Sequence, residues 1–192
     1  MLKPIEESIY ILNNINYKIQ DSVITIVAKC DEHNIDEDSA QSLFYYIMDL
    51  GLILTVSYLD ELNKFFFKAV KIEKGESYSK AVMKILKTYK NVIEKRFPGL
   101  RNFRNNYLAH NMRIDKQNYK NVVLDGDLRT YKVPQNTHDY VFLTNCIKNI
   151  NLLIQHFFPG SLFEAQNYQM NSFDKLPLLA PQFLTLESIQ FE

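Results

Sequence analysis

One apolar stripe constrains the fold of this chain more than any other feature of its sequence. From Asp38 or Ser39 to Ile72, apolar side chains recur every three or four residues, which is the spacing of one helical face. The stripe consists of Leu43, Ile47, Leu50, Leu54, Tyr58, Leu62, Phe65, Ala69 and Ile72. It predicts a helix of about 34 residues, roughly 50 Å in length. A helix of that length needs long antiparallel neighbours to cover its apolar face.

The same periodicity predicts those neighbours. Helices are expected over residues 5–33, from Ser77 to the break at Phe97-Pro98-Gly99, over about 99–113, and from Asn136 or Thr137 to about 158. The side chains expected inward on the third helix are Val82, Ile85, Leu86, Tyr89, Val92 and Ile93. Because the 192 residues include only five glycines and six prolines, turns are few and elements are long. The sequence therefore predicts an all-α fold, an antiparallel bundle of four to five long helices over residues 1–158.

Two segments depart from this plan. Asp125-Gly126 lies between strand-forming residues, a combination typical of a hairpin turn, so a small β-hairpin is expected over about 120–132. Residues 159–192 contain Pro177 and Pro181 and have no helical period, yet they are rich in Phe, Leu, Tyr and Met. Such a segment is too apolar to be a solvated linker. We expect an apolar C-terminal extension that packs on the bundle or on a dimer partner.

Charge is distributed unevenly along a chain whose formal net charge is zero. Residues 1–61 hold three Lys or Arg against eleven Asp or Glu, a net of −8, and residues 62–113 hold thirteen against three, a net of +10. Residues 114–192 hold six against eight, a net of −2. Two interpretations stay open: the basic region contacts a polyanion, or acidic and basic helices pair within the fold. On the third helix, Lys80, Lys84 and Lys87 form a stripe suited to backbone phosphates.

Several function classes lack their motifs in this sequence. It contains no phosphate-binding P-loop, no glycine-rich dinucleotide turn and no serine-nucleophile elbow. Cys30 and Cys146 have no metal or redox spacing, and Cys30-Asp-Glu-His33 matches no standard metal site. We therefore expect no metal and no cofactor. Since the N-terminus lacks a signal-peptide run and no window approaches about 20 apolar residues, we expect a cytoplasmic protein without membrane contact.

The segment Leu100–Asn111 concentrates polar chemistry on one predicted helix. Its twelve residues include two arginines, four asparagines and one histidine. Arginine is always charged and offers a phosphate two donors, and histidine exchanges a proton near neutral pH. Arg104 and His110 are therefore a minimal set for phosphodiester chemistry without a metal. On an ideal α-helix they lie about 120° and 9 Å apart, so Arg104 has to reach back toward a phosphate held near the imidazole, or a dimer partner completes the site.

The helical register of His110 leaves two interpretations open. It falls on an apolar stripe together with Leu100, Phe103, Tyr107 and Ile114. On that basis alone, His110 is a core histidine bonded to a neighbour. Its polar neighbours in sequence are Arg104, Asn105, Asn106 and Asn111. They favour a cleft or a subunit interface, because a core cannot satisfy so many polar groups cheaply. Asp60 and Glu61 on the long helix are within reach as acidic partners of Arg104.

The motif Arg104-Asn-Asn-Tyr-Leu-Ala-His110-Asn resembles the signature of the HEPN superfamily. That signature is an arginine, usually followed by a polar residue, with a histidine after four to six intervening positions on a bundle helix. Here five residues intervene, Asn105 takes the polar position, and Ala109 before His110 matches a common form. The arrangement of long helices before the motif and a final helix after a connector is also similar. The likeness is greatest to the branch found in abortive-infection and other defence proteins.

The resemblance implies a helical homodimer whose two motifs face each other, with metal-independent RNA cleavage in the catalytic members. Arg104 would hold the scissile phosphate, His110 would act as general acid or base, and Asn105 would orient His110 or bind phosphate. The other candidate RNA contacts are Arg101, Asn106, Tyr107, Asn111, Lys80, Lys84 and Lys87. The expected role is toxin-like or defence-related, with an antitoxin as partner. The alternative is a non-catalytic interaction or nucleotide-binding module whose motif serves the dimer interface, since the superfamily includes such members.

Overall fold

The computed structural model describes residues 2–32, 37–108, 113–115, 120–121, 132–134 and 136–166. Side chains are described for residues 2–21, 47–105, 132–134, 136 and 138–166. The helices are α1 (Pro4–Glu32), α2 (Glu37–Glu61), α3 (Phe67–Lys74), α4 (Glu76–Arg96), α5 (Leu100–Asn102) and α6 (Thr137–Phe157). Two π-helical turns, Leu62–Phe66 and Phe103–Leu108, join α2 to α3 and extend α5. This part of the chain is mostly helical, which confirms the predicted all-α class. It contains about six helices rather than the predicted four to five, because the π-helical turn divides the long predicted helix into α2 and α3.

Neighbouring helices run antiparallel. Asn13 of α1 accepts a hydrogen bond from Asn151 of α6 at 3.2 Å, and further along α1 Gln20 donates to the carbonyl of Thr144 at 2.9 Å. The paired residue numbers therefore rise on α1 and fall on α6. Helix α1 also packs along α2, and α4 packs on α3 and α6. The largest side chains that this core buries fully include Tyr58, Tyr140, Phe66, Ile9, Leu12, Ile19 and Leu52.

The π-helical turn between α2 and α3 changes which side chains of the long stripe face the core. The expected stripe continues from Leu62 to Phe65 and Ile72, but these last two side chains are 58% and 67% exposed. The buried side chains after Leu62 are Phe66, Phe67, Ala69 and Val70, so Ala69 is buried as expected and Phe66 is buried one residue later than the stripe requires. A π turn accommodates one extra residue before the helix resumes. The expectation for Phe65 and Ile72 is therefore wrong, because the sequence period was carried through the turn unchanged. The expectation for Leu50 is also wrong: it precedes the turn and is 48% exposed.

Helix α4 buries a narrower face than its sequence suggests. Its buried residues are Ser79, Val82, Leu86 and Ile93. Ile85 and Val92 were expected inward, but they are 44% and 42% exposed. Helices α3 and α6 are the main described neighbours of α4, and they leave Ile85 and Val92 uncovered. An apolar stripe as wide as the predicted one therefore extends beyond the covered face.

The short strands do not form the predicted hairpin. Strand β1 (Arg113–Asp115) pairs antiparallel with β2 (Lys120–Asn121), so the ladder precedes the hairpin expected over about 120–132. That hairpin is not supported, and its turn residues Asp125 and Gly126 lie outside the described residues. Since Arg113 belongs to a strand, the motif helix cannot extend to 113 as predicted. A turn signal in the sequence indicates where a chain reverses but not which segments pair. Strand β1 also contacts the π-helical turn Phe103–Leu108.

The end of α6 leads into the beginning of the expected C-terminal extension. Asn136 caps the helix by accepting a hydrogen bond from the backbone N–H of Asp139 at 2.9 Å, one of the two predicted caps. After Pro159 and Gly160, residues 161–166 form a short helix. Its Ala165 is buried. Residues 167–192 lie outside the described part of the chain. Among the described helices, none is long and apolar enough to cross a lipid bilayer.

Candidate functional site

Helix α5 and its π-helical turn are fixed to the bundle by two buried apolar residues. Leu100 and Phe103 are 4% and 3% exposed. Gly99, just before the helix, donates its backbone N–H to the carbonyl of Lys132 at 3.1 Å. A Cβ on Gly99 would lie 2.8 Å from the backbone nitrogen of Lys132, so no larger residue fits this approach. Arg101 and Arg104 directly follow the two anchors in sequence and therefore share a neighbouring face.

The two arginines converge on one carboxylate at the end of α2. Arg101 donates from Nη1 to Oδ1 of Asp60. Arg104 donates from Nη1 to Oδ2 of Asp60 at 3.3 Å, and Nζ of Lys64 lies 3.6 Å from the same oxygen. Three cations thus surround a single carboxylate, which leaves two positive charges in excess. We call these four side chains the Asp60 cluster.

Asn105 holds the opposite edge of the Arg104 guanidinium. Its Oδ1 accepts hydrogen bonds from Nε and Nη2 of Arg104 at 3.0 and 2.9 Å. Arg104 is therefore held between a carboxylate on α2 and an amide on its own helix. Its side chain is 28% exposed, so solvent or a ligand still reaches it. The resemblance implies that Asn105 orients His110 or binds phosphate, whereas the described contact of Asn105 is with Arg104.

The cations keep Asp60 ionised. Burial of this carboxyl, whose side chain is 16% exposed, disfavours the charged form. The hydrogen bond from Arg101 and the charges of Arg101, Lys64 and Arg104 outweigh that effect and hold the pKa of Asp60 below its usual range. Asp60 is therefore a permanent anion at neutral pH. It fixes the arginines in place without cancelling the positive charge of the cluster.

The Asp60 cluster suits an anionic ligand. The side chains of Arg101 and Lys64 are 44% and 64% exposed, so donors of both groups face solvent. Guanidinium groups match the paired oxygens of a phosphate, and an ammonium adds a flexible third donor. A groove of about 180 Å³, lined in part by Val56, Leu59 and Leu100, lies directly beside Arg101. The arrangement can hold one phosphate group next to an apolar surface.

The structure brings together some of the residues expected in the site. Arg101, Arg104 and Asn105 meet there, and Asp60 is the acidic partner that the sequence indicated. Asn106 and Tyr107 belong to the π-helical turn, but their side chains are outside the described set. His110 and Asn111 lie wholly outside the described residues. Because a π turn wraps more residues than an α turn, the angle of 100° per residue assumed from the sequence does not apply along Phe103–Leu108.

The lysines of α4 form a separate surface. Lys80, Lys84 and Lys87 are exposed, as the predicted stripe requires. Lys80 pairs with Glu76 at 2.9 Å, and this contact, together with Lys71, holds the pKa of Glu76 below its usual range. At 1.5 Å per residue, Lys80 lies about 24 Å along the axis from the end of α4 at Arg96. The ion pair of Lys80 and those of Asp60 share no residue, so within the described part of the chain the two sets of cations form separate networks.

Sequence reasoning missed Lys64 as a member of the site. Its signal was present, because Asp60 and Lys64 are four residues apart and such pairs meet on a helix. Among the described residues, no group of three or more His, Cys, Asp and Glu side chains is arranged to hold a metal ion. A search of family models, curated proteins and solved structures finds no match to this chain.

Proposed function

We propose that this chain binds RNA at the Asp60 cluster and cleaves it without a metal, with Arg104 and His110 as the reacting pair. The observation that carries the proposal is the convergence of Arg101, Arg104 and Lys64 on a single carboxylate at the start of the motif. Surface cations that serve only solubility have no reason to converge in this way. A phosphate is a ligand for which such a charge excess and donor geometry are suited.

In the proposed reaction, the guanidinium of Arg104 stabilises the negative charge that develops on the phosphate oxygens. A hydrogen-bond donor that is already in place before the reaction stabilises the transition state most, because no free energy is lost in reorganising it. Asp60 and Asn105 supply that preorganisation from two sides. His110 acts as general acid or base on the 2′-hydroxyl or on the leaving oxygen, since an unperturbed imidazole titrates near pH 6.5. Its role rests on the sequence motif.

The wider assignment also rests on the motif. We infer a homodimer in which two motifs form one cleft, a cytoplasmic location, and a toxin-like or defence role with an antitoxin as partner. No cofactor is needed. Lys80, Lys84 and Lys87 extend the RNA-binding surface as contacts to backbone phosphates, while Asn106, Tyr107 and Asn111 contact the RNA near the scissile bond.

A non-catalytic function is the second candidate, and one observation favours it. Arg101 and Arg104 already have a partner in Asp60, as they would in a purely structural ion-pair network. In that case the motif builds a dimer interface or a nucleotide site. The two candidates differ in what Arg104→Ala does. The structural role predicts a change in oligomeric state in analytical ultracentrifugation, and the catalytic role predicts an unchanged state with lost cleavage.

The activity is tested with purified protein and mixed RNA in EDTA, beside His110→Ala. The proposal predicts cleavage by the wild type and at least about a hundredfold less by the variant. Equal cleavage by both proteins, or cleavage by neither, contradicts the ribonuclease assignment for those RNAs. Binding is measured separately at rising salt, where affinity must fall if phosphate contacts carry it.

A further inference from the structure

An apolar groove lies between the first turns of α1 and the α2–α3 stretch, and its lining includes none of the four side chains of the Asp60 cluster. It has a volume of about 380 Å³ and is lined in part by Pro4, Ile11, Phe65, Ala69 and Ile72. Ile11, Phe65 and Ile72 are 36%, 58% and 67% exposed. Phe65 and Ile72 were expected in the core, but they lie on this surface. Glu7, Ser8, Glu61 and Lys68 complete the lining of this groove, and exposed apolar side chains bordered by polar residues are typical of a contact surface.

The walls of this α1–α3 groove are held at a fixed separation. Ser8 of α1 donates from Oγ to Oε1 of Glu61 at 2.6 Å. One turn nearer the start of α1, the backbone N–H of Ile5 donates to Oε1 of Glu73 at 2.9 Å. These two hydrogen bonds join the opposite walls at two points. The groove is therefore formed before anything occupies it, which lowers the entropic cost of binding.

The C-terminal part of the chain leaves the bundle at the same end. Phe158 and Pro159 line a second groove of about 360 Å³ together with Lys3 and Glu73. Lys3 directly precedes Pro4, and Glu73 directly follows Ile72, so the second groove is adjacent to the first. The short helix of residues 161–166 follows at once. Ser161, at the start of this helix, also lines the second groove, so residue 166 lies within about 8 Å of that groove along the helix axis.

The sequence that follows suits an apolar groove. Residues 176–181, Leu-Pro-Leu-Leu-Ala-Pro, carry no charge, and Phe183 and Leu184 come soon after. The two prolines favour an extended backbone that docks through side chains. Ten residues of extended chain reach about 33 Å, and the groove from Pro4 to Ile11 is only about 10 Å long. The length of chain after residue 166 is more than sufficient.

We propose that residues 176–184 of this chain occupy its own α1–α3 groove. The apolar segment covers Ile11, Phe65 and Ile72, which the bundle leaves exposed. A tethered segment has an effective concentration in the millimolar range, so it outcompetes a second copy of the protein at ordinary concentrations. The extension expected from the sequence thereby has a defined docking site on its own bundle.

The test is limited chymotrypsin digestion of the full chain, with cleavage after Phe173, Phe183 and Leu184 followed by mass spectrometry. Phe65→Lys and Ile72→Lys place a charge in the groove at positions that are already exposed, so the bundle tolerates them. Each is expected to speed cleavage within residues 167–192 about tenfold, because the segment then spends more time undocked. Leu152→Lys is the matched control, since Leu152 is an exposed α6 side chain (52%) and lines neither groove.

Two outcomes overturn the proposal. The first is an unchanged cleavage rate in both groove variants, which means that the segment does not depend on the groove. The second is a wild-type cleavage rate that falls as protein concentration rises, which means that a second copy is the occupant. Thermal unfolding of each variant accompanies the digestion. A variant that has lost its fold is also cleaved throughout the bundle. If Phe65→Lys unfolds in this way, the cleavage rate of Ile72→Lys, at the more exposed position, decides whether the segment depends on the groove.

Discussion

Helix α2 meets its neighbours in two contrasting ways within a few turns. At Gly51 it is crossed by Tyr140 of α6, whose hydroxyl oxygen lies 1.5 Å from where a Cβ on Gly51 would be. Tyr140, Tyr58 and Thr55 are fully or almost fully buried, and their hydroxyls have no hydrogen-bond partner among the described residues. At Asp60 the same helix carries a carboxylate that binds three partly exposed cations. The first region is packed without space for a ligand, and the second is charged and accessible.

The contrast assigns two different roles to two parts of α2: the Gly51 crossing stabilises the fold, and the Asp60 cluster presents charge to a ligand. Side chains at the Gly51 crossing are held by shape, so changing their volume affects the free energy of unfolding. Side chains of the Asp60 cluster are held by charge at the surface, where ion pairs contribute little to stability. Substitutions at the Gly51 crossing should therefore lower the free energy of unfolding, and substitutions in the Asp60 cluster should change RNA cleavage or binding. A cluster substitution that mainly lowers stability would contradict this comparison.

Gly51→Ala should have the largest effect on stability. The added methyl group clashes with the Tyr140 ring, and we expect the free energy of unfolding to fall by about 3 kcal/mol. Urea denaturation measures it. The double variant Gly51→Ala/Tyr140→Phe removes the closest atom of the clash and should recover about 1 kcal/mol. A loss below about 0.5 kcal/mol for the single variant means that the crossing is not tightly packed.

Asp60→Asn should act on cleavage more than on stability. Without its carboxylate, Arg104 loses the partner that positions it, so single-turnover cleavage should slow about tenfold, which is about 1.4 kcal/mol. RNA affinity at low salt should rise, because the cluster gains a positive charge. Asp139→Asn is the matched control, since Asp139 pairs with Arg96 at 2.6 Å elsewhere in the bundle. An equal loss of cleavage in both variants contradicts a specific role for Asp60.

Asp49 and Asp60, two of the carboxyl groups of α2, should respond to pH in opposite ways. Burial raises the pKa of Asp49 to about 6, so the folded state binds more protons than the unfolded state between about pH 4 and 6. Stability from Asp49 therefore falls as pH rises through that window, by about 1 kcal/mol for a half-buried group. Asp49→Asn should abolish this step in urea denaturation at pH 4.5 and 7.

Asp60 supplies the internal comparison for that measurement. Its lowered pKa means that its stabilising contribution is present above the usual carboxyl range and is lost only as the pH falls through the lowered pKa. Asp60→Asn should therefore leave the step between pH 4.5 and 7 unchanged. Loss of the step in this variant, or its persistence in Asp49→Asn, contradicts the assignment to Asp49.

The α4 lysines should show the smallest effects. Lys84→Ala and Lys87→Ala each remove one exposed point charge, so each should weaken RNA binding about two- to threefold and lower the salt dependence by about one phosphate contact. The cleavage rate of bound RNA should not change. Filter binding at several salt concentrations measures the first effect. A loss larger than that of Arg101→Ala would move the main RNA contact from the Asp60 cluster to α4.

Much of the bundle could be predicted from the apolar periodicity of the sequence. The bounds of α1 and α6 and the cap at Asn136 follow from local rules, because each depends on residues a few positions apart. The π-helical turn at Leu62–Phe66 could not be predicted in this way. A π turn depends on packing around it, so the sequence pattern placed Phe65 and Ile72 in the core when both are exposed.

The candidate site shows the same limit. The motif indicated Arg104 and its polar neighbours, and Asp60 was within reach on the long helix. The pattern did not indicate that Arg101 and Arg104 converge on Asp60, since these contacts require the relative placement of two helices. The pair Asp60–Lys64, four residues apart, was within reach of sequence reasoning but was missed. The charge count from the sequence also did not distinguish the α4 lysines from the arginines as candidate RNA contacts. Convergence on one carboxylate, which only the fold reveals, separates the two surfaces.

The most direct test of the central claim is single-turnover cleavage of one defined RNA in EDTA by the wild type, Arg104→Ala and Lys87→Ala. If the Asp60 cluster holds the reacting phosphate, Arg104→Ala should cleave at least about a hundredfold more slowly, and Lys87→Ala should stay within about threefold of the wild type. Wild-type rates in Arg104→Ala, or no cleavage by the wild type itself, would contradict the account.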